Sequence, residues 1–213
     1  DLPLHAATLD DMDAECAAVL ALVLECAGLL GKAEAGRASD DERRRLRALI
    51  PIAKLTTGKQ AVALASEALE CFGGAGYVED TGLPRLLRDA QVLSIWEGTT
   101  NVLALDVLRA EAKERAFSAL LADLGARAAR PPPGVDGLEL SAIRRAARAL
   151  AQHAHGAMSR GEAAVQAAAR RLALGAGWLT EALLLAEAAA ADPRAAEHLA
   201  RFAALRLRGH FDV

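Results

Sequence analysis

The leucines, valines and alanines of this chain recur three and four positions apart, which gathers them on one side of a 3.6-residue turn and predicts a succession of helices. Asp10 and Asp11 can cap and charge a helix running to about Glu34, with Gly36 as its stop. Ser39-Asp40-Asp41-Glu42 is a second start signal. Pro51 then interrupts, either as the first residue of a new helix or as a kink. From Ile52, the residues Leu55, Val62, Leu69 and Phe72 keep the helical period until Gly73-Gly74 ends it. Residues 73–83 read as a loop, and Pro84 can open a short helix through Leu93. Gly98 breaks the chain again. Thr99 or Thr100 then caps one long helix through about Ala129, with Val102, Leu105 and Leu108 on its apolar face. Pro131-Pro132-Pro133-Gly134 is the clearest linker. Three more helices are expected over about 138–159, 162–190 and 194–208, with Asp192-Pro193 between the last two.

Composition agrees with an all-α fold. Hydrophobic residues make up 53% of the 213 positions and aromatic ones only 3%, so the core must be packed with Ala, Leu and Val rather than rings. The net charge of -3 offers no bulk attraction to nucleic acid or anionic lipid. Residues 114–213 carry 13 basic and 10 acidic residues, too small an excess for a basic-tail argument. Cys16, Cys26 and Cys71 share no metal or redox spacing and read as small buried hydrophobes of a reducing, cytoplasmic compartment. The apolar run Ala17 to Cys26 is too short for a membrane span, and no signal peptide is visible. The chain begins at Asp1 rather than Met, as a fragment or trimmed product would.

One stretch does not suit a plain helical bundle: FGGAGYVEDTGLPRLLRDAQVLSIWEGTTN, from Phe72 to Asn101. Gly73, Gly74 and Gly76 permit close approach of a ligand to backbone. The helix opening at Gly98-Thr99-Thr100-Asn101 offers free N–H groups suited to a phosphate or pyrophosphate. Glu97 could be a general base. Each has a plainer account taken singly: a helix C-cap and turn for the glycines, a dipole contact for Glu97, a core position for Trp96. His153 and His155 sit two apart and so point to different helix faces, and His5, His198 and His210 are isolated, so no metal site is expected. Arg144, Arg145, Arg148, Arg170 and Arg171 suit a solvated helix face better than a basic binding face.

Three motifs in register alter the balance. Gly73, Gly74, Gly76 and Tyr77, then Arg88, Asp89 and Ala90, then Glu97, Gly98 and Thr99 resemble, in order and spacing, the C-terminal helical domain of acyl-CoA dehydrogenases. The resemblance covers roughly residues 9–110. Ile95-Trp96-Glu97-Gly98 and Leu105-Asp106-Val107-Leu108-Arg109 are similar to the AidB-like branch of that family. The expected architecture is therefore an acyl-CoA dehydrogenase C-terminal-type bundle over 1–130 without its usual first helix. A linker at 131–137 and an additional helical region over 138–213 follow.

The resemblance implies FAD as cofactor, an acyl-CoA thioester as substrate and a homo-oligomer, dimer or tetramer. It makes Glu97 the catalytic base that removes the α-proton, with its own N–H polarising the thioester carbonyl. Thr99 and Asn101 match positions contacting the FAD pyrophosphate or adenosine, and Gly73 and Gly74 match the loop packing on a partner subunit's FAD. Glu70 stands where many members carry an FAD-binding glutamine, a departure, since an ionised carboxylate cannot donate. Arg88 and Asp89 read as a scaffold that fixes the loop. Two other functions remain open at this point. One is an AidB-type flavoprotein associated with DNA and weakly active as a dehydrogenase. The other is a helical module that serves only subunit assembly.

Overall fold

The computed structural model describes residues 2–130, 132, 133, 135 and 137–208. Among these there are eight α-helices and no strand, as the propensities and periods require. The helices are α1 (Pro3–Glu34), α2 (Asp40–Cys71), α3 (Leu83–Leu93), α4 (Thr100–Glu114), α5 (Ala116–Ala129), α6 (Gly137–Ser159), α7 (Glu162–Ala188) and α8 (Pro193–Phe202). The expected linker falls partly outside the described residues, with Pro131, Gly134 and Asp136 among those left out, as is His210.

Several boundaries differ from the expected ones for identifiable reasons. α1 begins at Pro3, not at Asp10, with proline in the first turn where its missing N–H costs nothing. The acidic residues mistaken for a start signal face α8 instead. Arg201 donates to Asp10 (2.7 Å) and Asp11 (2.9 Å), and Arg194 donates to Asp13 (2.7 Å). His198, isolated in sequence, lies 3.0 Å from Asp13 across 185 residues. These contacts hold the Asp13 carboxyl below its ordinary range, the Arg194 hydrogen bond first and the His198 hydrogen bond second. The Ser39 start is as read: Ser39 accepts from the Glu42 N–H and Glu42 accepts from the Ser39 N–H, a closed capping box.

Pro51 neither starts nor ends a helix, because α2 runs through it. An interior proline costs about 3 kcal/mol. Leu49, Ile52 and Leu55 around it are all buried, and each such side chain returns about 1.5–3 kcal/mol, so continuity wins. The opposite happens in the expected helix 99–129, which breaks at Arg115 in the left-handed region (φ 56, ψ 33). Glu111 then caps α5, accepting from the Ser118 N–H (2.8 Å) and hydroxyl (2.6 Å). The turn swings Phe117 into the core, 1% exposed. That burial, about 2–3 kcal/mol, exceeds the roughly 1–2 kcal/mol of the left-handed residue.

One apolar cluster joins the two halves of the chain, including Leu22, Leu49, Ile52, Leu120, Ile143, Leu179 and Phe202. α7 is its axis, buried nearly all round from Leu172 to Ala186 and packed on α1, α2, α4, α5, α6 and α8. By length and composition α1 could cross a membrane, its most apolar window having a mean hydropathy of 1.9, which the shorter run Ala17–Cys26 did not suggest. In the fold it packs along α2, α7 and α8 and leaves Leu20, Val23, Leu24 and Leu30 exposed along one stripe. The cysteines are not the buried hydrophobes expected. Cys16 is exposed, Cys26 and Cys71 are half-buried, and all are free thiols. Partial burial, then Glu25, pushes the Cys26 thiol up to about 11.

The α2–α7 contact is the tightest in the core. A Cβ added at Gly177 would lie 2.3 Å from Thr56 Oγ1. One turn further along α7, the fully buried Glu181 accepts from Gln60 Nε2 at 2.9 Å across this seam. Among the described residues, Thr56 Oγ1, Gln60 Oε1 and Glu181 Oε1 have no hydrogen-bond partner. Burial, with the nearby Glu15 carboxylate adding to it, raises the Glu181 carboxyl well above its ordinary range. Glu15 is itself held by Arg206, at 2.9 and 3.1 Å from Nε, and the Arg206 guanidinium lies over the Trp178 ring at 5.4 Å. A proton on Glu181 adds a donor to a seam that holds two unpaired carbonyl-type oxygens and the Thr56 hydroxyl.

Two outcomes are expected here. Gly177→Ala should lower stability by about 1–3 kcal/mol through overpacking, and Thr56→Ala added to it should recover much of the loss; chemical denaturation of the two single variants and the double variant reads this. A carboxyl raised by folding contributes fully below its unfolded value and loses that contribution as pH rises towards the folded value. Glu181→Gln should therefore match the wild type near pH 4 and gain in thermal midpoint over it as pH is raised to 8. A difference that shrinks with pH would contradict a protonated Glu181.

Candidate functional site

The exceptional stretch turns at the end of α2, runs back along that helix as α3 and leads into α4. The glycines make a 3-10 turn over Gly73–Gly76, and Gly73 takes φ 56. Gly76 is required by contact, because a Cβ there would sit 2.1 Å from the Leu69 carbonyl oxygen. Gly74 meets nothing. Thr81 ties the loop together, its hydroxyl bonding to the Ala75 and Val78 carbonyls, each at 2.8 Å, and accepting from the Leu83 N–H. Arg88 reaches back from α3 and donates in a two-pronged pair to Glu79 (2.8 and 3.0 Å), which lowers the Glu79 carboxyl below its ordinary range. Arg88 is thus the scaffold expected. Asp89 is not part of it and pairs with Arg85 on the same helix at 3.4 Å.

The far end of α3 is fixed to α2. Ser94 donates to the Gly58 carbonyl at 3.0 Å, and Lys54 donates to the Leu93 carbonyl, placing a cation where the helix dipole is negative. Glycine at 58 allows this approach, since a Cβ would stand 3.2 Å from the Leu93 oxygen. From this anchored point the chain turns through Ile95, Trp96, Glu97 and Gly98 into α4. Glu97 sits at φ 54, a left-handed conformation that costs a non-glycine residue about 1–2 kcal/mol. Gly98 follows at φ 117 against the Leu103 side chain.

Glu97 is exposed and has no hydrogen bond or ion pair among the described residues. Beside it Trp96, expected in the core, is 54% exposed, and Tyr77 is 86% exposed. Phe72, Val78, Val92, Ile95 and Val102 along the stretch are exposed as well. Thr99 is the residue before α4, in extended conformation, but its side chain makes no cap bond. The first bond of the helix runs from the Leu103 N–H to the Thr99 carbonyl at 2.9 Å. The amides of Thr100, Asn101 and Val102 therefore have no acceptor within the helix. Asn101 is exposed and accepts from Arg170 of α7 at 3.3 Å. Glu70 lies exposed on the last turn of α2, one turn before the glycines.

The structure thus brings Glu97, Thr99 and Asn101 together at the start of α4, whereas Glu70, Gly73 and Gly74 lie at the C-terminal end of α2, roughly 18 Å or more along that helix from the Gly58 anchor. Sequence reasoning did not find Lys54 as the anchor of the α3 end, nor Arg170. No local signal marks Arg170, which meets Asn101 across 69 residues. Of the other arginines set apart in sequence, Arg144 donates to the Ala128 carbonyl at 3.2 Å and lines a cleft of α5 and α6 with Arg148. Among the described residues no cluster of His, Cys, Asp or Glu could hold a metal ion.

Fold and site define a helical domain that presents one strained carboxylate, an uncapped helix start and a glycine turn on an open surface. Residues 1–112 match the model for the acyl-CoA dehydrogenase C-terminal domain, and the chain belongs to that family. It is 60% identical over 107 residues to acyl-CoA dehydrogenase family member 11 of Caenorhabditis elegans, covering 50% of this chain and 17% of that protein. It is 40% identical over 94 residues to the putative acyl-CoA dehydrogenase AidB of Escherichia coli, covering 44% and 17%. The solved structure of Caenorhabditis elegans ACDH-11 in complex with C11-CoA superposes on all of this chain with a TM-score of 0.86 and 36% identity, over 37% of its own length. The chain thus spans a small part of the relatives it matches.

The glycine contacts allow a direct check. Gly76→Ala should displace the loop and raise its cleavage rate in limited proteolysis, because the obstacle is a backbone oxygen. Gly74→Ala, in open space, should leave the digestion pattern unchanged.

Proposed function

We propose that this chain is the part of an FAD-dependent acyl-CoA dehydrogenase that carries the catalytic base, and that the whole enzyme performs α,β-dehydrogenation of acyl-CoA thioesters. The observation that carries this is Glu97 itself. A left-handed glutamate without a partner, held between an anchored helix end and an uncapped helix start, has no stabilising role that would offset its strain. The 60% identity to family member 11, against 40% to AidB, supports a nearer kinship with the former than with the AidB-like branch.

The residues fit the cofactor. Thr99, Asn101 and the free amides at the start of α4 suit a pyrophosphate. The turn at Gly73 and Gly74 leaves room for a flat ring system to approach the backbone. Glu70 is an acceptor there unless protonated. Bound FAD would supply the acceptor for the β-hydride. Glu97 takes the α-proton onto its carboxylate, and its N–H donates to the thioester carbonyl as charge develops there. Closure of the apolar surface at Trp96 by acyl-CoA or a neighbouring domain would exclude water from the site around Glu97. The uncovered stripe of α1 supports work within a larger assembly, a homo-oligomer included.

Glu97→Gln in the complete enzyme tests this. The variant should keep bound flavin and lower turnover of acyl-CoA by a factor on the order of 10² to 10⁴. Unchanged turnover with flavin retained would remove Glu97 from the chemistry.

A further inference from the structure

Beside Asn101 lies a cleft of about 470 Å³ that the matched family region does not enclose by itself. One wall is Asn101, Ala104 and Leu105 of α4, and the other is Gln166, Ala169 and Arg170 of α7. Residues of α7 fall outside 1–112, so this wall is supplied by the C-terminal region. Arg170 is exposed, and its one contact to a side chain, at 3.3 Å, is the neutral Asn101 oxygen. Among the described residues no carboxylate lies within ion-pair distance of its guanidinium. Most arginines of α8 and its π-helical continuation, by contrast, are paired with acids of α1. A guanidinium carries five N–H donors in a planar fork that matches two phosphate oxygens at once. Here it lines the same cleft as Asn101 of the first turn of α4.

We propose that Arg170 binds the diphosphate of the dinucleotide cofactor, so that the C-terminal region completes a cofactor site begun by Thr99 and Asn101. This rests on the reading of the chain as part of an FAD enzyme. Asn101 holds the guanidinium at the cleft, and the bound diphosphate supplies the negative charge that no described residue brings to Arg170. The contact is exposed, so its strength must fall with ionic strength.

The test uses the complete flavoprotein stripped of its cofactor and titrated with FAD, followed by flavin fluorescence. Arg170→Ala should raise the Kd on the order of ten-fold, and Arg170→Glu further, towards a hundred-fold, as expected for a hydrogen bond between charged groups. Arg170→Lys should lie between wild type and Arg170→Ala. The salt dependence of FAD binding should flatten in Arg170→Ala. Riboflavin, which has no phosphate, should bind all four proteins alike. Arg145→Ala, which removes an exposed arginine from α6, should leave FAD binding unchanged. Thermal midpoints confirm folding of each variant. Unaltered FAD affinity in folded Arg170→Ala and Arg170→Glu overturns the proposal. So does a loss of duplex-DNA binding with flavin affinity intact, which would give Arg170 to a nucleic-acid phosphate. If the wild type itself fails to bind FAD, the enzyme reading falls and this proposal with it.

Discussion

The close approach of α2 and α7 governs the rest of the molecule. At Gly177 only a hydrogen atom fits against Thr56, and the flanking turns of α7 are Ala173, Ala176 and Ala182, all fully buried. Small residues let two helix backbones come near each other, and dispersion contacts between close backbones replace those that large side chains would make. A chain with 3% aromatic residues has few other ways to fill a core. The same alanines favour helix in the unfolded chain, so local propensity and tertiary packing agree. With α7 seated on α2, the C-terminal region is a wall of the bundle, and the helices on either side have one cluster to pack against.

That seating carries a polar consequence. Gln60 and Glu181 face each other in the seam where water is excluded, and their unpaired oxygens leave it short of donors. An ionised Glu181 there would lie near Glu15, offset by the Gln60 hydrogen bond and by Arg206, which Glu15 already engages. Removing a charge from water without a dedicated partner is far more costly than holding a proton, so the neutral acid is the stable form. The seam therefore fixes register by hydrogen bonding without containing a buried ion pair, while the ion pairs of α1 with α8 stay near solvent.

Helices were legible in the sequence because their signals are local: the capping box at Ser39, the glycines after Phe72, the proline at 84. What sequence hid was decided by packing between distant parts. Pro51 looks like a boundary until Leu49, Ile52 and Leu55 are known to be buried together. Arg115 looks like the interior of a helix, because nothing beside it announces that Phe117 must turn inward. Asp10 and Asp11 resemble a helix start because a first turn and an ion-pair face want the same residue type. The site was legible through motif spacing, which located Glu97, Thr99 and Asn101 on one helix start. Its far wall was not, since α7 reaches Asn101 only through the fold.

Two kinds of local cost coexist here, and they point in different directions. The unpaired acceptors between α2 and α7 are enclosed, and a proton within the chain answers them. The costs at the other end are open to the outside. Glu97 holds a left-handed backbone, Thr99 leaves its helix uncapped, Arg170 has no acid among the described residues, and Trp96 and Tyr77 stand out in solvent. Each of these could be relieved within the chain by an ordinary substitution: glycine at 97, a serine or aspartate cap at 99, a polar residue at 96. A domain selected for its own stability would tend to adopt them. Trp96, Glu97 and Thr99 follow one another into α4, and Arg170 meets Asn101 on its first turn. Under the proposed function the answering groups belong to ligands: an acyl thioester would bring the proton to remove and apolar area, and a dinucleotide the phosphate charge for the arginine and the free amides.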